Sequence, residues 1–240
     1  MNNYEMIAIK ELNKWEKKVS KNPSLTDNLS KGIQTKINSI IPEKFHEIVT
    51  STIKNLVKGV ITGSDFVSGK PKINLSLREC EDKIQEKMKT YRNTAAVEGA
   101  VTGAGGIFLG LADFPILMSI KFKFLFDCAN IHGFDTSDYK ERLYILYVFQ
   151  LTFSSQKKIK ETYNIIKNWD NYVKTLPENI EEFDWRSFQQ EYRDYLDLAK
   201  LFQLLPVVGA VVGGYVNYKL LKKLGDTVIN SYRIRKLKTY

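Results

Sequence analysis

Apolar residues recur along this chain at the spacing of three and four that marks helices with one buried face. In residues 4–19 the stripe is Tyr4, Ala8, Leu12, Trp15 and Val19. Residues 25–41 place Leu25, Leu29, Ile33, Ile37 and Ile40 together, and Pro42 ends the run. Residues 43–61 repeat it with Phe45, Val49, Ile53, Leu56 and Val60, and Gly63 supplies a stop. The segment 62–75 (TGSDFVSGKPKINL) reads as a loop. Ser76 and Glu79 then fit a capping box ahead of a helix carrying Leu77, Cys80, Ile84, Met88 and Tyr91. Cys80 falls on that stripe, so it is expected in the core as a small apolar side chain.

The middle of the chain breaks the amphipathic pattern. Gly99 to Ala112 is 14 residues without a charge, and Phe114 to Ile120 is uncharged again. Asp113 and Pro115 interrupt, which predicts two helices, with Asp113 capping the second and Pro115 in its first turn. Gly99 and Gly103, like Gly106 and Gly110, stand four apart, a spacing that lets another backbone approach closely. A second uncharged stretch of 18 residues covers 201–218, broken by Pro206 and carrying Gly209 and Gly213. Two readings stand: a hairpin buried in a soluble core, and a hairpin that lies on or enters a membrane. A carboxylate and a proline inside the segment argue against a simple span.

Between these stretches ordinary helices return. Gly133 is expected to stop a helix over Ile116–His132, and Thr136 or Ser137 to cap the next, with Leu143, Leu146, Tyr147 and Leu151. Residues 156–174 align Ile159, Tyr163, Ile166, Trp169 and Val173. Leu176-Pro177 opens an acidic connector anchored by Phe183 and Trp185, and Asp184 caps a helix with Phe188, Tyr192, Tyr195 and Leu198. Hairpin turns and sustained period-two runs are missing. The expected fold class is all-α: a single multi-helix bundle with a central Gly-rich apolar helical hairpin, packed by a second Gly-containing apolar helix.

Composition narrows the function classes. Of 240 residues, 43% are hydrophobic and 26% charged, which excludes wholesale disorder. Two cysteines exclude a disulfide scaffold and a four-thiolate zinc site. The opening residues lack an apolar run behind a basic start, so no secretory signal is expected. The net charge is +9, and the stretch Lys219–Tyr240 supplies six of those nine. Its cations are Lys219, Lys222, Lys223, Arg233, Arg235, Lys236 and Lys238 against Asp226, a footprint for an anionic membrane face or another polyanion. The bland alternative is a solvated helix end.

Candidate chemistry is sparse. Cys128 and His132, four apart, could form a thiolate–imidazolium pair, but a buried small residue and a helix-end polar residue is the favoured reading. HExxH, paired CxxC, GxSxG and a phosphate loop are all absent, so neither a cofactor nor a metal is expected. Glu98 and Asp113 flank the Gly-rich run. A straight helix would hold them about 22 Å apart, so capping and pairing with Arg92, Lys121 or Lys123 is favoured over a shared reaction centre. The alternative is a metal-dependent or hydrolytic enzyme using Glu98 and Asp113.

The run EGAVTGAGGIFLGLADFP (Glu98–Pro115) resembles the hallmark of the EcsC family, and LPVVG (Leu205–Gly209), Asn217 and SYRIRKL (Ser231–Leu237) resemble its C-terminal pattern. WEKK (Trp15–Lys18), QTKIN (Gln34–Asn38) and IPEKFHEIV (Ile41–Val49) extend the likeness to nearly the whole chain. His132 departs from it, where the family more often has Tyr. Signature positions implied by the resemblance are Glu98, Gly99, Gly103, Gly105, Gly106, Asp113, Pro115, Gly209 and Asn217. It assigns no catalytic residue. It implies one helical domain over 1–240, with amphipathic helices in 1–61, a loop at 62–75, a Gly-rich core at 95–132 and helices in 136–240. The family is named for an operon that also encodes an ABC transporter. The resemblance therefore implies an accessory role beside ABC transporter subunits, cytoplasmic and peripheral to the inner face of the cell membrane, with an anionic membrane surface as partner. Nucleic acid ranks last, since no recognition motif supports it.

Overall fold

The computed structural model describes residues 2–21, 43–63, 69–102, 106–197, 201 and 210–237. Among them the structure is all helical. The α-helices are α1 (Asn3–Val19), α2 (Glu43–Thr62), α3 (Leu77–Thr102), α4 (Gly106–Ile131), α5 (Tyr139–Phe153), α6 (Gln156–Lys167), α7 (Trp169–Tyr172), α8 (Trp185–Tyr195) and α9 (Ala210–Leu237). Short 3-10 turns at Val173–Thr175 and Ile180–Glu182 link α7 to α8. An isolated antiparallel bridge joins Ser154 to Leu196.

Local chemistry sets most helix ends. Asn2 and Glu5 form a reciprocal capping box on α1. Ser76 and Glu79 form the expected box on α3: each backbone N–H is satisfied by the other's side chain, at 2.8 and 3.3 Å. Asp184 caps α8 through the Ser187 N–H. After α4 the Phe134 N–H reaches the Ala129 carbonyl and the Gly133 N–H reaches Asn130, a Schellman closure. It needs the left-handed φ of +86° that Gly133 supplies.

Two boundaries and one helix face correct the sequence reading. Asp113 is not a cap and Pro115 is not in a first turn, because α4 is continuous from Gly106 to Ile131 with the proline inside it. An interior proline costs ~3 kcal/mol through its missing N–H and ring clash. Here that cost is outweighed by burial of Phe114, Leu117, Met118, Phe122 and Leu125 on the same helix. Thr136 and Ser137 do not cap α5; Asp138 does, accepting from the Lys140 N–H at 2.9 Å. And α5 is not amphipathic: every residue described in it except Lys140 is buried, so it is the most enclosed helix. The expected helix over 25–41 lies outside the described residues, as do Gly103, Gly105, Pro206, Gly209 and Leu198. So do the side chains on which the Gly-to-Gly packing would rest.

Long-range pairs fix the register. Cys80 meets Ile131 and Lys87 meets Asp127, so α3 and α4 run antiparallel. Lys236 meets Cys80, Arg233 meets Glu81, and a Cβ built on Gly225 would overlap Met88 Sδ, so α9 runs antiparallel to α3. Arg235 meets Glu141 and Lys223 meets the Thr152 carbonyl, which makes α9 antiparallel to α5 as well. α1 lies along α9 and α3, α2 crosses α4 and α5, and one apolar core joins them all. The bundle thus has two distinct ends. One gathers the starts of α1, α3 and α5 with the ends of α4 and α9. The other carries the α3–α4 hairpin, the start of α2 and the first turns of α9.

Candidate functional site

At the first end the C-terminal part of α9 turns its cations inward. The Arg233 guanidinium donates to both oxygens of Glu81, at 2.8 and 2.6 Å, and also pairs with Glu11 at 2.9 Å. Tyr4 donates to the same Glu81 carboxylate. Two residues on, Arg235 pairs with buried Glu141 at 2.6 Å, and Tyr232 donates to that carboxylate at 2.8 Å. The Arg235 guanidinium lies 3.7 Å from the Phe134 ring centre and 4.6 Å from that of Tyr144. The pairs hold Arg233 well above its ordinary range against the opposing effect of burial. Burial pushes the Glu141 carboxyl up, while Arg235 opposes that shift. With Tyr232 and Arg235 both on the carboxylate, the geometry favours the ion pair.

His132 sits inside this clasp, stacked on Tyr232 at 4.8 Å. Neither ring nitrogen has a hydrogen-bond partner among the described residues. Burial, then the neighbouring Lys236, Arg233 and Arg235, push its pKa down to about 3, so the ring is neutral at physiological pH. Burial pushes the Cys128 thiol well up. A thiolate–imidazolium pair would need the opposite of both shifts, and the core reading of Cys128 holds. Cys80 is buried too and donates to the Ile131 carbonyl, with Lys236 Nζ 3.7 Å from its sulfur. An open groove of about 750 Å³ runs beside the clasp, between Glu5, Ser76, Phe134, Asp170, Arg235 and Lys236.

These positions correct the expectation that the whole basic tail faces a membrane or polyanion. Arg233 is buried and Arg235 nearly so, because each has a carboxylate partner on another helix. Lys236 is half-buried. Lys219, Lys222 and Lys223 are exposed, although Lys223 Nζ also donates to the Thr152 carbonyl at 2.7 Å. Lys238 lies outside the described residues.

At the other end, Asp113 is partly exposed on α4, yet its Oδ2 is buried with no hydrogen-bond partner among the described residues. Glu98 and Gly99 belong to α3 and Asn217 to α9, but their side chains lie outside what is described; Gly106 opens α4. The pairing of Glu98 with Asp113 therefore lies outside the described residues. Among the described residues no group of three or more His, Cys, Asp or Glu could hold a metal. Nor is any described helix long and apolar enough to cross a membrane.

Sequence reasoning missed the buried acids Glu81, Asp127 and Glu141. Two left a trace. Glu81 shares the helical spacing of Leu77, Ile84 and Met88, and Asp127 stands alone in FKFLFDCANI; it binds Lys87 at 2.6 Å and Tyr91 at 3.0 Å.

Comparison with known proteins gives a consistent answer. The model of the EcsC protein family matches residues 7–237. The chain is 45% identical to Protein EcsC of Bacillus subtilis (strain 168) over 233 residues, 97% of this chain and 96% of that protein. It is 28% identical over 251 residues, 95% and 91% of the two, to the uncharacterized protein YdbA of the same organism. No solved structure gives a significant match. The chain belongs to the EcsC protein family.

Proposed function

We propose that this EcsC-family chain is a helical accessory protein, held peripherally on the inner face of the cytoplasmic membrane and serving an ABC transporter system. One observation supports the membrane part above others. Tyr218, 40% exposed, ends an uncharged stretch and is followed on α9 by exposed Lys219, Lys222 and Lys223. An aromatic ring at head-group depth followed by lysines suits an anionic lipid surface. The transporter part follows from what the family resemblance implies. Inward-turned Arg233 and Arg235 leave the tail a poorer footprint for nucleic acid.

Flotation of the full chain with vesicles tests this. Phosphatidylcholine vesicles containing phosphatidylglycerol should carry the protein at low salt, and phosphatidylcholine alone should not. Replacing Lys219, Lys222 and Lys223 together with Gln should weaken binding roughly a hundredfold, at about 1 kcal/mol per lysine. Indifference to both lipid and salt would sink the reading. The enzymatic alternative has one observation of its own, the unpartnered Oδ2 of Asp113. A turnover assay in which Asp113→Asn matches the parent would dispose of it.

A further inference from the structure

We infer that the outer face of α1 is the surface that lies against an anionic bilayer, its lysines on the head groups and Met6 and Ile7 at the acyl boundary. This deepens the membrane reading above and rests on it.

The 17 residues of α1 divide sharply around the helix. Ala8 and Leu12 are buried, with Trp15 and Val19 half-buried on the same side. The opposite side carries Met6, Ile7, Lys10, Lys14, Lys17 and Lys18, which follow one another over roughly 18 Å of the axis. All six are exposed. Their arc is roughly 140° wide at 100° per residue and holds no acid of α1. The acids of this helix are engaged elsewhere. Glu5 closes the capping box with Asn2. Glu11 pairs with Arg233 at 2.9 Å. Glu16 accepts from Tyr163 at 2.7 Å and lies 3.7 Å from Lys167 Nζ. A helix that merely faces water mixes charges of both signs along its outer side; α1 separates them.

The helix beside it extends this surface. Burial pushes the Asp226 carboxyl up, while Lys222 and then Lys18 oppose that shift, so both lysines lie close to it. With Glu11 at Arg233 and Lys18 at Asp226, α1 runs antiparallel to α9, and the stripe passes from Lys18 to Lys222, with Lys219 one turn on. All three lysines are exposed. Asp226, exposed as well, offsets one of these charges. On the α3 flank, Arg78 stands over the Tyr4 ring and pairs with Asp82 at 3.8 Å. Glu79 and Glu86 stand roughly 150° round α3 from Glu81, which Tyr4 holds. Asp170 borders the groove with Glu5, off the outer arc.

The apolar pair selects a bilayer over other polyanions. Met6 and Ile7 are 45% and 49% exposed, one turn before Lys10 on the same arc. Such side chains gain from acyl chains at head-group depth, whereas binding to a phosphate backbone is carried by the cations alone. Lysines beside a few apolar side chains hold an anionic interface by charge and shallow burial together.

Two labels in the full chain decide the matter. Cys80 and Cys128 are both buried, so an environment-sensitive maleimide dye reports Asn13→Cys or Asn55→Cys selectively. Asn13 is exposed on the outer arc of α1, and Asn55 is exposed on α2, which packs mainly on α4 and α5. With vesicles of phosphatidylglycerol and phosphatidylcholine, the dye at 13 should shift to the blue and be quenched by brominated lipid. The dye at 55 should report water throughout. Replacing Lys10, Lys14 and Lys17 together with Gln should weaken flotation roughly a hundredfold, and Met6→Gln with Ile7→Gln roughly tenfold, with the melting temperature unchanged. Vesicle binding with the label at 13 in water, or with the triple lysine variant floating like the parent, would overturn the α1 face and leave the membrane role standing. No flotation by the parent chain would overturn both proposals, and a salt-dependent shift of duplex DNA by that chain would then identify nucleic acid as the polyanion.

Discussion

The two ends of the bundle solve the problem of charge in opposite ways. At the clasp end, Arg233 and Arg235 are drawn into the protein by Glu81 and Glu141, which are themselves buried on α3 and α5. At the hairpin end, Lys123, Lys219 and Lys222 stay in solvent. Both ends draw on one basic stretch of α9. A cation's value as a surface feature depends on whether another helix brings a carboxylate within reach, and nothing in the cation itself reveals it.

On that contrast, the clasp should be the part least tolerant of change. Arg233→Met leaves the Glu81 carboxylate buried and uncompensated, and should cost about 3–5 kcal/mol in urea unfolding. Adding Glu81→Leu should restore much of the loss, since a well-packed apolar pair can replace a buried ion pair. A loss below about 1 kcal/mol would mean that water reaches Glu81 and the clasp is a surface feature.

Acid should open the same end. His132 is held neutral with a pKa of about 3, while an unfolded chain takes up the proton near pH 6.5. Its contribution is therefore full above that unfolded value and falls away as pH drops towards 3, by up to about 1.4 kcal/mol per pH unit. His132→Phe should flatten the stability profile between pH 6 and 4, by roughly 2 kcal/mol. Parallel profiles would place the acid sensitivity elsewhere.

The hairpin end should respond in the other direction. Pro115→Ala restores a helix N–H, worth ~3 kcal/mol, and gives back ~1 kcal/mol of chain stiffness. A net gain of about 2 kcal/mol is expected by thermal or chemical unfolding, and a loss would show that the proline's conformation is required there. The smallest effect belongs to neither end: Glu161→Gln breaks the exposed pair with Lys158 at 2.8 Å and should change stability by less than about 0.5 kcal/mol.

Much of this architecture could be read in advance. The stripe Phe45, Val49, Ile53, Leu56 and Val60 is buried throughout, as are Leu77, Cys80, Ile84 and Met88. The Ser76–Glu79 box and the Gly63 and Gly133 stops stand where the residues put them. The error at Asp113–Pro115 has a physical cause: a proline is a local signal for a helix start, and burial of the residues around it overrode that signal. The error at α5 is of the same kind. The apolar stripe pointed only to Leu143, Leu146, Tyr147 and Leu151, yet Arg142 donates to the Ile61 carbonyl at 2.6 Å and Glu141 holds Arg235.

By itself the sequence determined the all-helical class, most helix ends and the family, because periodicity, capping and signature runs are local in the chain. Tertiary structure alone decided which charges are internal. Glu81 and Arg233 are 152 residues apart, and no window of sequence contains both. It also decided that Lys123 and the lysines of α9 share a level while Arg235 does not. The cause is the antiparallel register of three long helices, fixed where Cys80, Met88 and Gly225 meet their partners.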